Sequence, residues 1–256
     1  MGASHALKFS DFNFAFCILH SAFCILHSPM TGFLDRPTHV VYLSREYDPT
    51  RPWPTILFLH GSGERGGDAM RATKIGVGSA IREDRSLVPA IVVFPIAPEQ
   101  TRWLGAEAAA AMAALDATLA EFSVDRERVY LTGLSMGGYG AIHLALAHPD
   151  RFAALVIVCG GMLPHPTTTA VQRSPLIPDD QDPYAFAGRT LARTPVWLFH
   201  GADDPVIPVA ESRRLAKALP NARYTEYAGV GHNAWEKAYA DREMWSWLFA
   251  QRLSGR

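Results

Sequence analysis

Ser135 stands at the centre of Gly133-Leu134-Ser135-Met136-Gly137, a G-x-S-x-G run set between an apolar, β-rich stretch and an apolar, helix-forming one. The setting carries more information than the five letters. Where a chain leaves a buried strand, turns sharply and enters a helix, the central residue takes a strained backbone conformation and its side chain projects above the sheet. The flanking glycines omit a Cβ that would collide with the neighbouring strand or the turn. Ser135 is therefore a candidate nucleophile. A serine hydroxyl at neutral pH needs a base within hydrogen-bond reach and a third group to orient that base. Asp203-Asp204, in the run Gly201-Ala202-Asp203-Asp204-Pro205, and His232, in Gly229-Val230-Gly231-His232-Asn233, supply both in the chain order serine, acid, histidine. The chemistry such a set performs is acyl transfer.

Asp204 directly precedes Pro205, which restrains it to extended backbone, so Asp203 should point the other way. The expected acid is Asp204, with Asp203 capping the turn or facing solvent. The charge on a tetrahedral intermediate needs two backbone N–H donors, each worth about 3–4 kcal/mol. Met136, next after the serine, is one expected donor. Ser62 is the other, from the glycine-rich run His60-Gly61-Ser62-Gly63-Glu64-Arg65-Gly66-Gly67, with Gly63 next in line. That run has neither G-x-x-x-x-G-K-[ST] nor G-x-G-x-x-G, which argues against a phosphate cradle. Trp103, Tyr139 and Trp235 are candidate walls of a substrate pocket, although large aromatics also serve as plain core. His60 and His200 each end an apolar run and are expected to bond nearby backbone, and Glu64 and Arg65 could pair to brace their loop.

These loops need strands to carry them. Apolar runs at 55–59, 90–95, 129–131, 154–159 and 195–200 read as strands buried on both faces, with 39–44 near a sheet edge and 223–227 a last short strand. Helices are expected over 106–122, 138–147, 209–219 and 242–251, with Glu211 and Lys217 exposed on the third. Residues 160–195 are proline-rich and read as irregular, lying over the strand ends but too short for a large cap domain. The alternation predicts an α/β fold: one doubly wound, mostly parallel sheet with helices on both faces. Ligands in such folds bind outside the carboxyl ends of the strands, where every loop named above falls.

The 256 residues are 48% hydrophobic and 19% charged with a net charge of −1, the composition of a globular chain with a sizeable core. No basic patch points to nucleic acid or a membrane surface. Cys17, Cys24 and Cys159 form neither an even disulfide framework nor metal-ligand spacing, so neither a disulfide scaffold nor a metal site is expected. Residues 15–21 and 22–28 both read AFCILHS, interrupted by histidines and unlike a signal peptide, so a cytoplasmic location is expected. Residues 1–29 are read as a non-essential extension and 30–256 as the catalytic domain. Oligomeric state is not legible.

Taken together, HGSGERGG, LTGLSMGGYGA, FHGADDPVIPV and GVGHNAWEKAY resemble the α/β-hydrolase esterases of the dienelactone-hydrolase and phospholipase/carboxylesterase kind, often labelled predicted peptidases or prolyl-oligopeptidase-like hydrolases. The resemblance runs from about Met30 to the C-terminus. It implies the α/β-hydrolase fold and a cofactor-free hydrolase of short acyl esters. Ser135 would be the nucleophile, Asp204 the acid, His232 the base, and the Ser62 and Met136 amides the oxyanion hole. Activity would fall below about pH 6 as the histidine is protonated. A peptidase or amidase acting on short peptides, or a non-catalytic binding protein of the same fold, are the alternatives.

Overall fold

The apolar runs of the sequence become neighbouring strands of one eight-stranded sheet in the computed structural model, which describes residues 32–165, 169 and 171–255. The extension reading of residues 1–29 lies outside the described residues. The strands are β1 (Gly32–Asp35), β2 (His39–Leu43), β3 (Trp53–Leu59), β4 (Ile91–Pro95), β5 (Val124–Leu134), β6 (Ala154–Val158), β7 (Val196–Gly201) and β8 (Ala222–Tyr227), in the order β1-β2-β4-β3-β5-β6-β7-β8. β1 pairs with β2 and β2 with β4 antiparallel. All pairings from β4 across to β8 are parallel. The carboxyl ends of β3 to β8 therefore share one edge of the sheet.

The period of two along each strand separates two cores. Leu57 and Leu59, Leu131, Leu155 and Ile157, and Leu198 face one layer. Ile56 and Phe58, Tyr130, Val156 and Val158, and Phe199 face the other. The first layer is closed by α2 (Gly105–Glu121), α3 (Met136–Ala147), α4 (Pro183–Thr190) and α5 (Ala210–Ala218), through residues such as Leu115, Leu144, Tyr184 and Leu215. The second is closed by α1 (Val77–Glu83), α6 (Trp235–Ala240) and α7 (Arg242–Ala250), through Ile81, Tyr239, Trp245 and Leu248. Each fully buried Leu or Ile contributes about 1.5–3 kcal/mol, so the central strands are held firmly from both sides.

Several elements differ from expectation. β2 lies near the edge as expected, but the edge itself is an unanticipated strand, β1, whose four residues are too short to show alternation. The stretch expected to be irregular contains α4, which Asp182 caps by accepting from Ala185 N–H, with Pro183 at the first turn. The elbow helix begins at Met136, directly after Ser135, not at Gly138. Glu211 is the largest correction. It is buried rather than exposed, while Lys217 on the same helix does face solvent.

Candidate active site

Ser135 occupies the turn between β5 and α3 with φ +53° and ψ −120°, a conformation that side chains rarely adopt. The fold imposes it. Ser135 N–H is tied to Val158 O at 2.9 Å, and its carbonyl accepts from Gly138 N–H at 2.9 Å. A Cβ on Gly137 would lie 1.9 Å from Leu59 O, and one on Gly133 would lie 2.2 Å from Gly137 O. Only glycine at both positions lets the helix start this close to β3 and β5.

The loop after β8 brings His232 over the sheet. Its Nε2 lies 2.8 Å from Ser135 Oγ and its Nδ1 2.7 Å from Asp204 Oδ2. A carboxylate only accepts, so the network assigns the proton to Nδ1 and leaves Nε2 as the acceptor facing the hydroxyl. Asp204 Oδ1 accepts the Val206 and Ile207 N–H groups at 2.8 and 2.9 Å. The Asp204 side chain is fully buried, whereas that of His232 is 19% exposed. Burial works to raise the Asp204 carboxyl, but hydrogen bonds from His200, His232 and the Ile207 N–H outweigh it and hold the group well below the usual carboxylate range. Asp203 is exposed, and its N–H bonds Val230 O at 3.0 Å, tying the acid loop to the histidine loop.

The glycine-rich run after β3 lies against the serine: a Cβ on Gly61 would be 3.7 Å from Ser135 Cβ. Ser62 to Glu64 form a single 3-10 turn, and Met136 is the first residue of α3, where N–H groups have no partner within the helix. The turn is braced on every side. Arg65 Nε donates to Ser62 O at 2.9 Å and Arg71 donates to Gly63 O at 3.0 Å. Glu64 and Arg65 do not pair, so each serves its own backbone contacts. His60 Nδ1–H donates to Gly61 O at 2.6 Å, its Nε2 accepts from Ala97 N–H at 3.1 Å, and its carbonyl takes the Trp103 indole N–H at 3.0 Å.

Burial drives the His60 imidazole down from 6.5 to about 4, so it is neutral in the folded protein at neutral pH. The unfolded chain binds a proton that the folded one refuses. The associated stability is complete above pH 6.5 and is lost as pH falls from there toward 4. Urea unfolding at pH 7.5 and at pH 4.5 is expected to differ by about 2–3 kcal/mol from this group. Equal stability at the two pH values would contradict a buried, neutral His60.

The three aromatic candidates take different places. Trp235 sets its ring edge-on to His232, 5.3 Å between centroids, and lines a cavity of about 510 Å³ with Ile75, Gly76, Ser79 and Tyr239. Tyr139 is buried on α3, donates to Leu163 O at 2.9 Å, and borders two small voids of about 10 Å³ each. Trp103 is 1% exposed, so it braces His60 from the core, and it borders the small void beside Met136 and Tyr139.

Two groups at the site carry roles that sequence reasoning missed. Glu211 Oε2 accepts Met162 and Leu163 N–H at 2.7 and 3.2 Å, and Oε1 accepts the Tyr184 hydroxyl at 2.8 Å, pinning the loop after β6 beside Tyr139. His200 bonds backbone as expected, at Ile207 O, yet it also lies 3.1 Å from Asp204 Oδ2. Its His-Gly pair four residues before the aspartate was the available signal. Cys159, Asp204 and His232 bring potential metal-ligand atoms within 4.8 Å of one another, but the lone pairs and proton at that point are already engaged in the Asp204–His232 hydrogen bond.

A sequence profile of the Esterase family matches residues 31–255. The chain belongs to the Esterase family. As an esterase it is 25% identical to Feruloyl esterase B of Thermothelomyces thermophilus, over 88% of this chain and 86% of that one. It is 31% identical to the Poly(3-hydroxyoctanoate) depolymerase of Pseudomonas fluorescens, over 43% of this chain and 36% of that one. Among solved structures, a thermostable esterase superposes with a TM-score of 0.70 at 29% identity, covering 86% of this chain and 63% of that chain. The fold is thus the α/β-hydrolase fold and the chain is a hydrolase acting on carboxylic esters. No helix among the described residues is long and apolar enough to cross a membrane.

Proposed function

We propose that this esterase hydrolyses small, short-chain acyl esters through a covalent acyl-enzyme on Ser135, with His232 as base, Asp204 as its orienting acid, and the Ser62 and Met136 N–H groups as oxyanion donors. The observation that carries the reading is the unbroken chain from Ser135 Oγ through His232 to Asp204, at 2.8 and 2.7 Å, beneath the braced turn of Ser62. His232 Nε2 takes the hydroxyl proton as Oγ attacks the ester carbonyl, and the oxygen that becomes negative is received by the two amides. The same proton then passes from Nε2 to the departing alkoxide, leaving the acyl group on Oγ. Water repeats the sequence: His232 takes its proton, the hydroxide adds to the acyl carbon, and Oγ leaves with that proton as the acid is released.

Space decides the acyl preference. Beside Met136 and Tyr139 the enclosed void measures about 10 Å³, room for about one water, and the cavity of about 510 Å³ that Trp235 lines has no triad residue in its wall. A long acyl chain therefore has no cavity to enter beside Met136, which favours short acyl groups. A p-nitrophenyl ester series from acetate to decanoate, with methyl ferulate and a peptide panel beside it, tests the reading. The expected result is the highest kcat/KM at acetate or butyrate, a steady fall with chain length, and no peptide cleavage. A maximum at decanoate, or turnover of peptides alone, would contradict it.

A further inference from the structure

The triad makes no direct use of the buried imidazole of His200. His200, near the end of β7, is fully buried, and its ring lies between the Asp204 loop and α5. Nε2 is 3.0 Å from Ile207 O and 3.1 Å from Asp204 Oδ2, while Nδ1 is 2.7 Å from Ser212 Oγ. Both neighbours of Nε2 are acceptors only, so the proton must sit on Nε2, and in the neutral ring Ser212 donates its hydroxyl proton to Nδ1. The N–H points chiefly at Ile207 O and is shared with Oδ2, a three-centre arrangement.

We propose that His200 is a positioning residue for the esterase reaction: its Nε2–H, fixed by Ser212, locks the Asp204 carboxylate in the orientation that directs His232. The proposal rests on the triad reading of the site. Asp204 Oδ1 is held by two backbone N–H groups, so the carboxylate can turn only if Oδ2 is free to move. With His200 in place, Oδ2 sits between two imidazoles. The same N–H draws negative charge from Oδ2, which weakens the pull of the carboxylate on a protonated His232. Losing it therefore makes His232 a stronger base in the free enzyme.

The surroundings leave few other sources for that effect. Cys159 at the end of β6 and Tyr139 on α3 face Asp204, and burial pushes both up, so both are neutral there. Glu226 on β8 faces His200, but Arg213 holds it in a two-pronged ion pair at 2.8 and 2.6 Å.

Two substitutions separate positioning from packing. His200→Gln keeps an N–H donor near the Nε2 position, and His200→Met keeps bulk without the donor. For the Met variant, kcat should fall about tenfold, one hydrogen bond's worth, with KM little changed and the acid limb of kcat/KM moved to higher pH. The Gln variant should recover most of the rate and return the acid limb toward wild type. Equal thermal destabilisation of both variants, with the acid limb unmoved, would reduce His200 to packing and overturn the proposal. If the Met variant does not fold, Ser212→Ala carries the same prediction, because it removes the hydroxyl that fixes the ring, and an unmoved acid limb there is equally fatal. Fluorophosphonate labelling of the wild-type enzyme keeps the two readings apart: failure to label Ser135 would sink the triad itself, whereas labelling with unaltered variants would sink only the role of His200.

Discussion

Ser135→Ala is expected to lower kcat about 10⁶-fold while leaving the protein folded and able to bind an ester. The loss is this large because no neighbouring group can replace the hydroxyl. His232 Nε2 has one partner at 2.8 Å, and among the described residues the nearby thiol of Cys159 is wholly buried and held protonated by its surroundings. Alanine also relieves none of the turn's strain, since φ stays at +53° for any residue placed there by β5, β6 and α3. Stability should therefore stay near that of the wild type, and circular dichroism melts run beside the rate measurement check it.

Asp204→Asn should cost about 10⁴-fold in kcat, the scale on which a wrongly set tautomer acts. The arrangement around the carboxylate dictates how. The two N–H donors of Val206 and Ile207 require the amide oxygen in the Oδ1 place, which puts the NH₂ group where Oδ2 was. There it donates to His232 Nδ1, drives the ring proton to Nε2, and leaves a donor facing Ser135 Oγ. The NH₂ group also meets the His200 N–H head-on across what was a 3.1 Å contact. Asp203→Asn, at an exposed position, should run near the wild-type rate. Comparable losses in both variants, or a larger one at Asp203, would overturn the assignment of the acid.

Much of the frame could be read from the chain because local rules and the fold agree. The apolar runs of β3, β5, β6 and β7 are continuous because helices cover both faces of a parallel sheet, and the G-x-S-x-G run declares its turn through glycines that contact Leu59 and Gly137 backbone. What escaped reading depends on distant partners. Glu211 sits in the first turn of an amphipathic helix, where a glutamate is ordinarily solvated. Its burial is compensated by the N–H groups of Met162 and Leu163 and by Tyr184, none of which helix periodicity announces. The short β1 carries no usable period, and α4 hides behind prolines, one of which opens the helix. His200 reads as a strand-end histidine until the fold of the Asp204 turn brings Oδ2 back upon it.

The central claim is that Ser135 forms the covalent intermediate, directed by His232 and Asp204. Intact mass and peptide mapping after reaction with a fluorophosphonate test it most directly. The expected result is one phosphonyl adduct per chain, on Ser135, absent from Ser135→Ala and formed far more slowly in Asp204→Asn. An unlabelled protein that still hydrolyses esters, or an adduct on another residue, would contradict the account.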